Sequence, residues 1–233
     1  MAPVLRRLGR FSRLTADEFD QVAAQVATRR RWRAGTVLLA EARATGPHFV
    51  IAGWACSQRV LRDGRRQIFD FVVPGEGFGF EAALPGSAGV NVLALTSVET
   101  VEAGALLAAV RGGPPGGLWR AIRALRLEEE ARRMDHLVRL GRLTAYERAA
   151  HFIVEMQRRV TVPEARSFPM PLTQEAMADA LGLSVVHLNR VLRQLRGAHV
   201  AEIRGGVATI HDPKALAAAA VLAPAAEAPS GPA

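Results

Sequence analysis

The stretch Thr173 to Arg196, TQEAMADALGLSVVHLNRVLRQLR, constrains the fold of this chain more than any other. Thr173 and Ser184 carry hydroxyls that can accept the free amide hydrogens at a helix start, so each opens a helix. Gly182 falls between them, where a positive φ costs glycine little, and Ala178 supplies the small residue that lets two helices approach. Met177, Leu181, Leu183, Leu188 and Val191 take the buried positions of such a pair. The spacing predicts a helix-turn-helix.

With Leu188, Val191, Leu192 and Leu195 turned inward, the second helix presents Val185, Val186, Asn189, Arg190 and Arg193 outward. Such a face fits a DNA major groove. Arg190 can donate two hydrogen bonds to guanine, Asn189 can pair with adenine, and Val185 and Val186 can meet a thymine methyl group. Thr173, Gln174, Ser184, His187 and Arg193 are expected on phosphates, where they add affinity and register but no sequence choice. Downstream, HVAEIRGGVATIHD reads as two short strands joined through Arg204, Gly205 and Gly206, a wing whose tip brings Arg204 to the phosphate backbone. Between residues 184 and 204 four arginines face one acid, Glu202, a local excess of +3. The whole-chain charge of +8 says less, because eight arginines against three acids in residues 1–33 already give +5 there. The run Arg29–Arg30–Arg31 reads as a solvated face or a helix end.

Upstream the texture changes twice. Residues 15–29 open with Thr15 as N-cap, place Asp17 and Glu18 in the first turn, and space Phe19, Val22 and Val26 as a helix does. From Gly35 to about Glu102, short β-rich runs (VLLA, HFVIAGWACSQRVL, RRQIFDFVV, VNVLALTSVETVEA) alternate with GP, DG, PGEG and PGSAG turn signals, the pattern of a sandwich or barrel. GGPPGG at 112–117 breaks the chain, and Leu118 to Leu140 then runs without Gly or Pro as one long helix. Its stripe of Leu118, Ile122 and Leu125 slips in phase to Leu127, Ala131, Met134 and Val138, which predicts a sheet-packed first part and a dimer seam farther along. Gly141 is expected to interrupt it, and Ala149, Phe152, Ile153 and Met156 line one face of the next helix. The expected domains are 1–115, the β-rich half; 116–141, the long helix with its dimer seam; 142–215, a winged DNA-binding domain; and 216–233, a disordered tail with a short helix at most.

At 233 residues, with 49% hydrophobic and 22% charged, the chain can bury real cores. Its one cysteine, Cys56, can form neither an intramolecular disulfide nor a four-cysteine cluster. Six histidines occur without any i, i+3 or i+4 pair, so no metal site is expected, and His48, His136 and Cys56 read as structural. No signal-peptide h-region follows Arg6, Arg7 and Arg10, and no apolar run spans a bilayer, so a cytoplasmic location without membrane contact is expected. No HExxH, GxSxG or paired-carboxylate pattern supports an enzyme.

Three motifs, DGRRQIFDFVVPGEGFGFEAAL, LTAYERAAHFIVEM and LTQEAMADALGLSVVHLNRVLRQL, together resemble the Crp/Fnr superfamily of bacterial transcription regulators across nearly all of residues 10–215. The resemblance implies an α+β chain: an N-terminal cyclic-nucleotide-binding-like β jelly roll, a long dimerisation helix and a C-terminal winged helix-turn-helix. It implies a homodimer on double-stranded palindromic DNA, RNA polymerase as a candidate partner, no cofactor, and a small-molecule effector that the sequence does not name. Gly79, Phe80 and Glu81 fall at the effector pocket. Where members that bind cyclic AMP place a ribose-binding glutamate, this chain has Phe80, with Glu81 one place late, and residues 72–110 contain no Arg or Lys for the phosphate. That argues for a regulator without the usual cyclic AMP binding; the alternative is a cyclic-nucleotide-responsive regulator with a nonstandard pocket, Glu81 reaching the ribose by a register shift. The cluster cysteines of oxygen-sensing members are absent, and Val185 and Val186 stand where familiar members place charged base-reading side chains.

Overall fold

A computed structural model describes residues 1–40, 46–80, 90–113, 115–162 and 164–221. These divide into two compact units: Met1–Arg59 with Asp70–Ala131, and Val60–Phe69 with Arg132 onward.

The first unit begins with α1 (Ala2–Gly9), which the sequence reading did not anticipate. Pro3 sits at its start, where no amide hydrogen is needed, and Val4 and Leu8, one turn apart, are fully buried. Helix α2 (Ala16–Ala24) has the expected cap at Thr15, with the hydroxyl accepting from Glu18 N and the Glu18 carboxylate accepting from Thr15 N. The same carboxylate accepts from Leu118 N at 2.8 Å, and that hydrogen bond holds its pKa below the usual carboxylate value. The helix is shorter than expected. A 3₁₀ turn follows at Gln25–Thr28, and the arginine run forms strand β1 (Arg29–Trp32), antiparallel to residues 98–101. The three arginines form a solvated face, as expected, but on a strand and not at a helix end: the backbone pairs with residues 98–101, and Glu99 across the sheet meets Arg31 at 2.6 Å and Arg29 at 3.5 Å.

Strands β2 (Val37–Leu39), β3 (His48–Ala52), β4 (Ala55–Val60), β5 (Arg66–Val72), β6 (Gly77–Phe78), β7 (Asn91–Ala94) and β8 (Val98–Glu102) complete the β-rich region. They form two four-stranded sheets, ordered β1-β8-β3-β6 and β2-β7-β4-β5, the crossed order of a jelly roll. Gly53, at φ +79°, makes the tight turn between β3 and β4, where a Cβ would lie 2.0 Å from the Ser97 carbonyl. Cys56 is fully buried in β4, and His48 is buried in β3 with its ring stacked on Phe78. Between the sheets lie Leu38, Val50, Ala55, Val72, Phe78, Val92, Ala94 and Val98. The PGSAG turn signal lies outside the described residues.

Helix α3 (Gly104–Gly112), also unanticipated, precedes α4 (Gly117–Arg142). The first part of α4 behaves as its stripe requires: Leu118, Ile122 and Leu125 are buried with Val4, Leu8, Val22, Phe49 and Phe80 in one core. Gly141 does not interrupt α4. The helix runs through it to Arg142, because a single glycine lowers helical stability by only about 1 kcal/mol and ends no helix whose hydrogen bonds continue.

The second unit continues with α5 (Ala145–Val160), β9 (Ser167–Pro169), α6 (Gln174–Leu181), α7 (Val185–Gly197), β10 (Ala201–Arg204), β11 (Val207–Ile210) and α8 (Pro213–Ala220). Ala149, Phe152, Ile153 and Met156 of α5 are buried, as their spacing predicts. The wing is a three-stranded sheet, β10-β11-β9, because Phe168 of β9 adds a strand beyond the expected hairpin. Part of the expected tail is helical: Asp212 caps α8 through Ala215 N, and Leu216 and Ala220, one turn apart, are buried where α8 packs on α5. Residues 222–233 lie outside the described residues.

Candidate nucleic-acid interface

The helix-turn-helix is assembled from caps read directly in the sequence. Thr173 Oγ1 accepts from Ala176 N at 3.1 Å, and Ser184 Oγ accepts from His187 N at 3.2 Å. Gly182 adopts φ +62°, ψ +38°, the left-handed conformation that ends α6 and turns the chain into α7. Met177, Ala178, Leu181, Leu188, Val191 and Leu195 are buried. Leu183 and Leu192, expected inside, are only half-buried, since they flank the turn and the edge of the α7 inner stripe.

The outward face of α7 is as predicted in composition and direction. Val186 is 79% exposed and Val185 39%, Arg190 and Arg193 are exposed, and Asn189 and His187 are half-buried. Among the described residues, no hydrogen bond or ion pair engages the side chains of Asn189, Arg190, Arg193 or Arg204. Three such side chains on α7 and one at the wing thus keep their donors available. Thr173, Gln174 and Ser184 are exposed at the two helix starts, where backbone N–H groups add positive potential. Arg204 stands at the wing tip, beside Gly205 and Gly206 at φ +56° and +77°, the two consecutive positive values that a tight hairpin turn demands. Glu202, the acid in this segment, faces His211 Nε2 at 3.4 Å.

Between α4 and α5 lies a buried charge cluster that the sequence reading missed. Arg139 of α4 donates to Glu155 of α5 at 2.6 Å and reaches His136 Nδ1 at 2.7 Å and His151 Nδ1 at 3.3 Å, while Arg159 holds the other Glu155 oxygen at 2.7 Å. Burial, with Arg139 and Arg158 alongside and against the pull of Glu155, lowers the His151 pKa to about 4, so its ring is neutral and accepts from Arg139. Burial alone would raise the Glu155 pKa, but Arg139, Arg159 and Arg132 outweigh it and hold the carboxylate at about 2. The second unit also contains an ion pair at α6: Arg66 holds Asp179 Oδ2 at 2.7 Å, and Gln67 donates to the Asp179 carbonyl at 2.8 Å. Helical spacing within α4 and α5 (136/139 and 151/155/159) was the available signal for the first cluster; none existed for the second.

In the first unit, Gly79 and Phe80 of the effector-pocket candidates are described, and Glu81 lies outside the described residues. Phe80 is 8% exposed, meets Phe49 edge to face at 5.5 Å, and lies under the Arg126 guanidinium at 5.3 Å. A Cβ at Gly77 would stand 2.4 Å from the Phe80 ring, so the turn is shaped around that side chain. Glu76, in the same turn, is buried and accepts from Arg7 at 3.2 Å; Arg7 also holds Glu128 of α4 at 2.7 Å. A cyclic nucleotide would need a ribose acceptor and a phosphate counter-charge here. Among the described residues this turn offers a packed phenyl ring with Arg126 over it and an acid already joined to an arginine of α1. Among the described residues no group of His, Cys, Asp and Glu side chains could hold a metal ion, and no helix is long and apolar enough to cross a membrane.

Comparison with known proteins accords with this geometry. Residues 29–105 match the cyclic nucleotide-binding domain, and residues 147–219 match the Crp-like helix-turn-helix domain. The nitrogen fixation regulation protein FixK of Bradyrhizobium diazoefficiens is 30% identical over 79% of this chain and 79% of its own. The transcriptional activatory protein AadR of Rhodopseudomonas palustris is 28% identical over 87% of this chain and 85% of its own. The solved structure of FixK2 from Bradyrhizobium japonicum superposes with a TM-score of 0.73 at 27% identity, covering 84% of this chain and 98% of that one. The chain belongs to the Crp/Fnr family of transcription regulators, with a cyclic-nucleotide-binding-like domain followed by a DNA-binding helix-turn-helix.

Proposed function

We propose that this regulator binds a two-fold-symmetric operator as a homodimer, that it does so without the usual cyclic AMP response, and that it is not an enzyme. The observation that carries the reading is the outward face of α7, whose donors have no partner within the described residues. Val185, Val186, Asn189 and Arg190 would meet base edges; Thr173, Gln174, Ser184, His187, Arg193 and Arg204 would hold phosphates. Residues 1–115 would serve as sensor, 116–141 as dimerisation helix and 142–215 as DNA-binding domain. The seam is supported by the exposure of Leu127 (63%), Met134 (50%) and Val138 (41%) along one stripe of α4 with the small Ala131 among them, since a solvated helix has little reason to carry such a stripe unless a second helix covers it. RNA polymerase is the further partner that regulation implies.

Genome-wide footprinting of the bound protein tests the reading and yields the operator. Inverted repeats whose centres lie about one helical turn, roughly 10 base pairs, apart are expected. Met134→Asp buries a charge in the seam and should give monomers in light scattering with loss of cooperative half-site binding; a variant that stays dimeric places the seam elsewhere. Calorimetry with cyclic AMP and cyclic GMP should show no binding. One nucleotide bound per chain at micromolar affinity would replace this reading with that of a cyclic-nucleotide-responsive regulator.

A further inference from the structure

The carbonyls in the last turn of a helix have no amide partner in their own helix and carry the negative end of its dipole. Arg148, in the first turn of α5, meets two such ends. Its Nη2 donates to the Leu140 carbonyl in the last turn of α4 at 2.7 Å, its Nε to the Leu143 carbonyl between α4 and α5 at 2.8 Å, and its Nη1 to the Leu181 carbonyl that closes α6 at 3.1 Å. Gly182 admits this approach: a Cβ there would stand 3.1 Å from Leu140 Cδ2 and 3.5 Å from Arg148 Nη1. The guanidinium suits the task because it is planar, permanently charged and offers donors along fixed, diverging directions. A lysine ammonium would bring one compact charge and could not span the same three oxygens.

We propose that Arg148 is a positioning residue that sets the angle of the helix-turn-helix on the end of α4 and, through it, the half-site spacing the regulator accepts on DNA. The proposal rests on the two-fold reading above. If two chains join along α4, each recognition helix is placed by the joint between the end of α4 and α6, and Arg148 fastens that joint by hydrogen bonds to both elements. Apolar contacts alone would hold α6 near α4 but would tolerate rotation, since dispersion is non-directional. Charge-assisted hydrogen bonds fix direction as well as distance.

The test is fluorescence anisotropy of the full chain, wild type, Arg148→Met and Arg148→Lys, on the footprinted operator and on versions with the spacer one base pair shorter or longer. Wild type should lose about tenfold or more on either altered spacer. Arg148→Met should bind the native operator about tenfold less tightly and bind all three spacers nearly alike, with affinity for random DNA unchanged; Arg148→Lys should fall between. A purely structural role would lower affinity for every DNA in proportion and leave the spacer preference intact. That result in dimeric Arg148→Met, or in Arg148→Lys should the methionine variant not fold, overturns the proposal. A wild-type chain that light scattering shows to be monomeric on its operator removes the two-fold reading and this inference together.

Discussion

Arg7 and Arg190 are the same side chain put to opposite uses. Arg7 is buried, held by Glu76 and Glu128 and lying over the Phe11 ring, whereas Arg190 projects from α7 with no partner among the described residues. The difference shows how charge serves in each region. A buried guanidinium must be neutralised within the chain, because the cost of dehydrating it is otherwise unmet. A solvated one can keep its donors free for an outside polyanion. Glu76 is therefore already paired within the chain, and the donors on the face of α7 are left open.

The contrast can be broken most forcefully at Arg7. Arg7→Met takes this guanidinium from the buried Glu76 and should cost about 3–5 kcal/mol of stability in urea denaturation, while the folded fraction retains its DNA affinity. A loss below about 1 kcal/mol would mean the pair is solvated. Phe80→Ala should cost about 3 kcal/mol by opening a cavity beside Phe49, and should not by itself create cyclic nucleotide binding in calorimetry. Arg190→Ala should weaken operator binding by about 1–3 kcal/mol with stability changed by less than about 0.5 kcal/mol, while Arg193→Ala weakens binding to all sequences alike and lowers the salt slope by about 1. Equal losses on operator and random DNA for both would remove the base-reading role of Arg190.

A further effect is on pH dependence. His151 has its folded pKa near 4 against an ordinary 6.5, so the unfolded chain takes up the proton first as pH falls. Stability from this group is complete above about pH 6.5 and declines progressively toward pH 4. His151→Gln should flatten the unfolding midpoint across that window, and an unchanged slope would assign the dependence to other groups.

How much of this could be read in advance follows from the range of each interaction. Thr173, Gly182 and Ser184 act on residues three or four places away, so the caps, the turn and the outward face of α7 were legible, as was the capping box at Thr15. The arginine run at 29–31 was not, because its strand form comes from backbone pairing with residues 98–101, some seventy residues on. Helix α1 had a faint signal in Val4 and Leu8 one turn apart, obscured by the arginines among them. Phe80 could be placed in the turn that departs from the family pattern, but not in the core formed with Phe49.

The sequence by itself determined the helix-turn-helix, its exposed donors and the absence of Arg and Lys from residues 72–110, since capping, periodicity and composition are local properties. Only the tertiary structure decided which charges are spent inside the molecule. Arg7 reaches Glu76 across 69 positions and Arg148 reaches the Leu181 carbonyl across 33, and no local pattern specifies such a meeting. Electrostatic pairing in a folded chain depends on distance through space, and that distance is fixed when the cores close around Val4, Leu8 and Leu118 in one unit and Phe152, Met156 and Leu188 in the other.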